Sequence, residues 1–187
     1  MAIYEELETK RLKLIPFSEE YLTEKYVGWL NDREVVKYSE QRHRSHNIDS
    51  CREYLASFRG TSNYFWAIIS KDEALEHIGS ITAYVDNNNL VADLGIMIGD
   101  KKVWGKGYGT EAWTAVCDYL FMKTKIRKIT AGTMALNAGM RSIMRRAGMV
   151  PDGARLKQCI YEKTEIDMIY AALFKDVWQN KRDLKNE

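Results

Sequence analysis

The sequence predicts an α+β fold: one mixed, mostly antiparallel central sheet with helices covering both faces. Three observations carry this. Apolar runs at residues 64–70, 77–85 and 93–98 follow one another across polar breaks, the pattern of an antiparallel meander. A strand, a glycine-rich turn, a helix and a strand then succeed one another between Asp93 and Thr133, an order that suits a parallel pair joined by a crossover. Two final strand-like runs, residues 153–161 and 166–174, flank a turn at Glu162, Lys163 and Thr164.

The first strand is read at residues 11–17, where Leu12, Leu14 and Phe17 are set among other residues and Pro16 ends the run. Ser18 is the expected cap of a helix carrying Tyr21, Leu22, Tyr26, Trp29 and Leu30. Asn31 and Asp32 break it, and Val35, Val36 and Tyr38 suggest one or two further helical turns. Residues 39–46 are polar and basic, a loop suited to contact a substrate. Asn47 caps a second helix through Ile48, Cys51, Leu55 and Phe58, closed by Gly60. After the meander, with its turn at residues 86–89, the period changes from two to that of a helix. Ala112, Ala115, Val116, Tyr119 and Leu120 mark one face. A short strand at residues 128–133 follows. A helix then opens at Asn137, carries Met140, Ile143, Met144 and Ala147 as its apolar stripe, and closes at Gly148. The charged tail from Lys175 suits a last helix.

Composition narrows the function classes. The chain of 187 residues shows no linker, repeat or low-complexity stretch, so residues 1–187 read as a single domain. Lys and Arg number 28 against 26 Asp and Glu, and a net charge of only +2 argues against a nucleic-acid binder. No apolar run approaches the roughly 18 residues of a membrane span, and an N-terminus with Glu5, Glu6 and Glu8 is not that of a signal peptide. Cys51, Cys117 and Cys159 are odd in number and far apart, which fits free thiols in a reducing cytoplasm. His43 and His46 lack further ligands nearby, so no metal site is expected.

The organising stretch is Trp104-Gly105-Lys106-Gly107-Tyr108-Gly109-Thr110, placed between a strand and a helix. Glycines allow positive φ and close approach, and the first N–H groups of a helix lack internal partners and favour negative charge. Such a turn is an anion cradle. The spacing departs from both the dinucleotide fingerprint and the P-loop. With its flanking strand and helix it resembles the acetyl-CoA-binding motif of the GNAT N-acetyltransferases. Three further segments resemble the RimJ/RimL branch of that superfamily: Thr9 to Leu14, Trp29-Leu30-Asn31-Asp32-Arg33-Glu34-Val35, and the helix from Asn137 to Met149.

The resemblance implies a GNAT-like fold and acetyl-CoA as cosubstrate, with no metal. It implies that the CoA pyrophosphate lies on the N–H groups of Lys106, Gly107, Tyr108, Gly109 and Thr110, with Trp104 and Gly105 leading into the turn. The pantetheine arm would pair with the strand edge at Ile96, Met97 and Ile98. Asn137 matches the family's CoA-contacting asparagine, and Arg141, with Lys101, Lys102 and Arg145, is a candidate for neutralising phosphate. Trp104 stands where the family usually has Arg or Gln. The family's thiol-protonating Ser and Tyr positions, three and seven residues after Asn137, are Met140 and Met144.

Without those acids the CoA thiolate can still leave, because a thiol is a fair leaving group. An alkyl amine must shed a proton before it attacks, which calls for a base. Asp93 matches the base of related acetyltransferases, with Glu40, His43 and Glu162 as rivals, and Tyr161 is the candidate acid. The expected function is transfer of acetyl to a primary amine. The basic loop favours an anionic acceptor such as a nucleotide-linked amino sugar. The N-terminus of a ribosomal or other protein is the alternative, and a non-catalytic acyl-CoA-binding regulatory module or a nucleotide binder stands behind both. The chain is read as a monomer, or as a homodimer pairing through the final hairpin.

Overall fold

The computed structural model describes residues 4–72 and 74–186. Eight strands form one sheet: β1 (Leu7–Glu8), β2 (Leu12–Pro16), β3 (Tyr64–Ser70), β4 (His77–Asp86), β5 (Val91–Ile98), β6 (Lys128–Met134), β7 (Val150–Tyr161) and β8 (Thr164–Phe174). Five helices accompany them: α1 (Glu24–Asn31), α2 (Ile48–Ala56), α3 (Tyr108–Lys123), α4 (Ala138–Arg146) and α5 (Lys175–Asn186). The strands lie in the order β1-β2-β3-β4-β5-β6-β8-β7. Only β5 and β6 pair in parallel among the described residues, because α3 carries the chain back across the sheet between them. The fold class is therefore α+β with a mixed, mostly antiparallel sheet.

Alternation along β2 and β3 divides the core in two. Leu12, Leu14, Trp66 and Ile68 face α3, where they meet Ala112, Trp113, Val116 and Leu120. Phe65 and Ala67 point the other way, against Tyr26, Val27 and Trp29 of α1 and Cys51 and Leu55 of α2. Burying a large apolar side chain contributes about 1.5–3 kcal/mol, so the fully buried Trp66 and Trp113 anchor the α3 layer.

Local differences from the sequence expectation have local causes. Ser18 opens only a 3-10 turn, Glu19–Tyr21, and its side chain makes no capping hydrogen bond. The cap of α1 is Thr23, whose hydroxyl accepts from the Tyr26 N–H at 3.2 Å. Residues 33–38 form turns rather than helix, with the Asp32 carboxylate accepting from the Glu34 N–H at 2.9 Å. The loop at residues 39–46 contains a 3-10 turn, Glu40–His43. Asn47 caps α2 as expected, in a reciprocal capping box with Ser50. The final hairpin turns on Glu162 and Lys163 at φ 48° and 66°, the left-handed pair of a tight two-residue turn. No helix among the described residues is long and apolar enough to cross a membrane.

His77 at the start of β4 is a core residue. It sits among Phe17, Tyr21, Tyr26 and Trp29, and its Nε2 lies 2.9 Å from the Gly79 carbonyl. Burial lowers its pKa to about 4, so the ring is neutral and donates from Nε2.

Candidate active site

The parallel pairing of β5 with β6 ends early. Val91, Ala92 and Asp93 pair with Lys128, Ile129 and Thr130, and then the strands part. β6 continues along β8 to Met134, and β5 continues along β4 to Ile98. One edge of β5 from Leu94 to Ile98 therefore faces no strand, and its outward backbone groups, apart from the Ile98 carbonyl that Trp104 engages, can pair with a ligand. A cleft of about 1290 Å³ opens there, bordered by β5, β6, the glycine turn, α4 and the wall formed by α1, α2 and their connecting loop.

The glycine turn closes one end. Gly105 and Gly107 take φ 73° and 84°, values that a side chain would strain. Gly107 is the N-cap of α3, and the N–H groups of Gly107, Tyr108, Gly109 and Thr110 have no backbone acceptor among the described residues. All four residues line the cleft. Unpaired N–H groups at the positive end of a helix dipole suit an anion. Trp104 and Gly105 also line the cleft, and the Trp104 indole N–H donates to the Ile98 carbonyl at 2.8 Å, tying the turn to the end of β5. Ile96, Met97 and Ile98 lie along the open edge. Lys106 faces an adjoining groove.

α4 forms the facing wall. Asn137 caps it, accepting from the Met140 N–H at 3.0 Å and donating to the Thr133 hydroxyl at 3.0 Å. Met140 lines the cleft, whereas Met144 is buried in the core and presents nothing to it. Arg141 donates to the Ala135 carbonyl at 3.2 Å and does not line the cleft. Arg146, which local pattern did not single out, borders both the cleft and Gly107's outer groove. Lys101 is committed elsewhere, 2.8 Å from Asp32 and 2.7 Å from Glu34.

The residues anticipated for proton transfer are scattered. Asp93 shares a strand face with Gly95 and Met97 but does not line the cleft, and its Oδ1 accepts from the Thr130 hydroxyl at 2.7 Å. Crowding by the sheet raises its pKa, and the Thr130 hydrogen bond works against that rise. Glu40 lines the cleft, with Arg42 Nη1 3.0 Å from its carboxylate. His43 is exposed and does not line the cleft. Tyr161 stands at the hairpin tip, its ring 5.7 Å from that of Tyr38, and it is Tyr38 that lines the cleft. Burial and the neighbouring Glu162 raise the Tyr161 pKa, leaving it a weak acid.

The cleft also presents groups that the sequence did not assign to proton transfer. His46 lines it, and its Nε2 is buried without a hydrogen-bond partner. Its backbone is held on both sides by Asn31, which accepts from the His46 N–H at 2.9 Å and donates to its carbonyl at 2.8 Å. Burial and Arg44 lower the His46 pKa, so the imidazole is neutral at pH 7. Tyr170 lies across Gly132, where an added Cβ would meet its ring at 2.8 Å, and Arg155 stacks over that ring at 5.4 Å. The alternation of β8 was the available signal for Tyr170. In the sequence His46 stood out only as a metal-ligand candidate in a loop read as contacting substrate, not as a base.

A family model described as an acetyltransferase (GNAT) domain matches residues 11–150. The probable N-acetyltransferase YjcK of Bacillus subtilis (strain 168) is 40% identical over 58 residues, 31% of this chain, and the matched stretch spans 32% of that relative's length. The solved structure of RimL, a ribosomal L7/L12 alpha-N-protein acetyltransferase in complex with coenzyme A, is similar with a TM-score of 0.80 at 13% identity, over 91% of this chain and 98% of that one. Spermidine N-acetyltransferase from Vibrio cholerae, in complex with CoA and spermine, is similar with a TM-score of 0.80 at 15% identity, over 91% of this chain and 99% of that one. At these identities the likeness to the two solved structures is one of fold.

Proposed function

The chain belongs to the GNAT acetyltransferase family, and on that premise we propose that it transfers the acetyl group of acetyl-CoA directly to a primary amine. The observation that carries this is the open edge of β5 from Leu94 to Ile98 leading to four unpaired N–H groups at the start of α3. An extended amide-bearing arm suits the first, and a pyrophosphate suits the second.

The amine nitrogen attacks the thioester carbonyl, forming the C–N bond as the C–S bond breaks. The amine proton goes to a base on the acceptor wall, and the departing thiolate takes a proton from water. His46 is the base this geometry favours, because its ring nitrogen is unpartnered while Arg42 engages Glu40. Water as the proton source accords with Met140 at the cleft and Met144 in the core.

Arg44 and Arg155 line the acceptor end and have no ion-pair partner among the described residues. They support an acceptor that carries negative charge beside its amine, of which a nucleotide-linked amino sugar is the best candidate. A nucleotide-linked amino sugar, a peptide with a free N-terminus and spermidine, each with acetyl-CoA and read by thiol release, test the assignment. Turnover of the anionic sugar alone is the expected result. Preference for spermidine would overturn the charge reading, preference for the peptide would favour an N-terminal acetyltransferase, and CoA binding without turnover would favour a regulatory module.

A further inference from the structure

The glycine turn is held from outside the cleft by a residue about a hundred positions earlier. The carboxylate of Glu111, in the first turn of α3, accepts from the Thr9 hydroxyl at 2.7 Å, the Arg11 N–H at 2.8 Å and Arg11 Nε at 2.6 Å. The same guanidinium donates from Nη1 to the Lys106 carbonyl at 3.0 Å and lies over the Tyr108 ring at 4.2 Å. Its Nη2 faces Gly107, where an added Cβ would stand 3.5 Å away.

In a trans peptide the C=O and the following N–H point in opposite directions. A Lys106 carbonyl drawn toward Arg11, in the groove, therefore turns the Gly107 N–H toward the cleft. Glycine tolerates either orientation of such a peptide at little cost, so residue 107 does not enforce the choice itself. A flipped peptide would present a carbonyl to the anion. We infer that Arg11, anchored on Glu111, is a positioning residue for donor binding that keeps the Gly107 N–H facing the CoA pyrophosphate. This rests on the acetyl-CoA reading above.

The anchor is stiff for a stated reason. A planar guanidinium can bond a carboxylate through Nε and a carbonyl through Nη1 at once, which a lysine ammonium on a flexible stem cannot reproduce. Burial raises the Glu111 pKa, but the hydrogen bonds from Thr9 and Arg11 and the charge of Arg11 outweigh it, leaving the carboxyl below its usual range. Paired with Arg11, that carboxylate adds little net negative charge beside the anion site.

The test titrates CoA and pantetheine, which lacks the pyrophosphate, into wild type, Arg11→Gln and Arg11→Lys, following backbone amide resonances. Wild type should show CoA-dependent shifts at Gly107 and Gly109 and pantetheine-dependent shifts along Ile96 to Ile98. Arg11→Gln should weaken CoA about 10- to 100-fold and leave pantetheine affinity unchanged. Arg11→Lys should restore part of the loss, and it carries the comparison if Arg11→Gln fails to fold. Unchanged CoA affinity in both variants would overturn the positioning role. So would an equal loss of CoA and pantetheine, the mark of a general lesion. Wild type without any response to CoA would overturn the donor assignment itself.

Discussion

Acid should loosen the acceptor wall through His77. In the folded chain its imidazole is neutral with a pKa of about 4, against the usual 6.5, because burial disfavours the cation and the Gly79 hydrogen bond only partly compensates. Between those values the unfolded chain binds a proton that the folded chain does not. Stability therefore falls as the pH drops through this window, and the contribution of the neutral ring is intact above 6.5. One pH unit across the window is worth about 1.4 kcal/mol, so the whole of it amounts to about 3 kcal/mol, a substantial share of the about 5–15 kcal/mol typical of a domain. The assay is urea unfolding at a series of pH values, followed by tryptophan fluorescence, since the Trp29 ring lies 5.1 Å from His77. His77→Gln is the control: it keeps a donor for Gly79 and does not titrate. Carboxylates titrate in both proteins and cancel in the difference. Wild type should lose about 3 kcal/mol relative to the variant on acidification. A difference independent of pH would refute a neutral buried ring.

Three further outcomes are expected. Gly99→Ala should destabilise by about 1–3 kcal/mol in urea unfolding, because the added Cβ would stand 2.0 Å from the Trp29 ring; an unchanged midpoint would mean that α1 is loosely packed. His46→Gln should lower kcat/KM by about 100-fold or more at neutral pH and remove the acid limb of the pH–rate profile; a retained limb would exclude it as the base. Asp93→Asn should leave kcat/KM nearly unchanged, since Asp93 does not line the cleft and Thr130 engages its carboxylate; a loss as large as that expected for His46→Gln would move the base to Asp93.

Much of this was legible in the sequence because it is local. Asn47 and Asn137 do cap their helices, and the glycines at 105 and 107 do take positive φ. These features depend on a few neighbouring residues. The face of α3 was only partly read: Ala112, Val116 and Leu120 are buried, but so are Trp113, Cys117 and Phe121. The helix is covered from a second side, where Trp178 of α5 meets Phe121 at 5.3 Å, and a single stripe cannot describe two contacts. Met144, by contrast, belongs to the apolar stripe read from the periodicity of α4, and it does lie in the core. What escaped entirely depends on distant partners. The clasp of Arg11 on Glu111 joins two segments that were each singled out, and only the fold shows that they meet. The isolation of the His46 ring nitrogen belongs to the same class.

The most direct test of the donor site is thermal unfolding of wild type with acetyl-CoA, with NAD and ATP as controls. A ligand at about 100 times its Kd adds about 2.7 kcal/mol to the folded state, enough for a clear rise in Tm. A rise with acetyl-CoA alone is the predicted result, the turn from Gly107 to Thr110 serving as a CoA pyrophosphate site. A rise with ATP or NAD and none with acetyl-CoA would contradict it, and the transferase assignment would fall with the site.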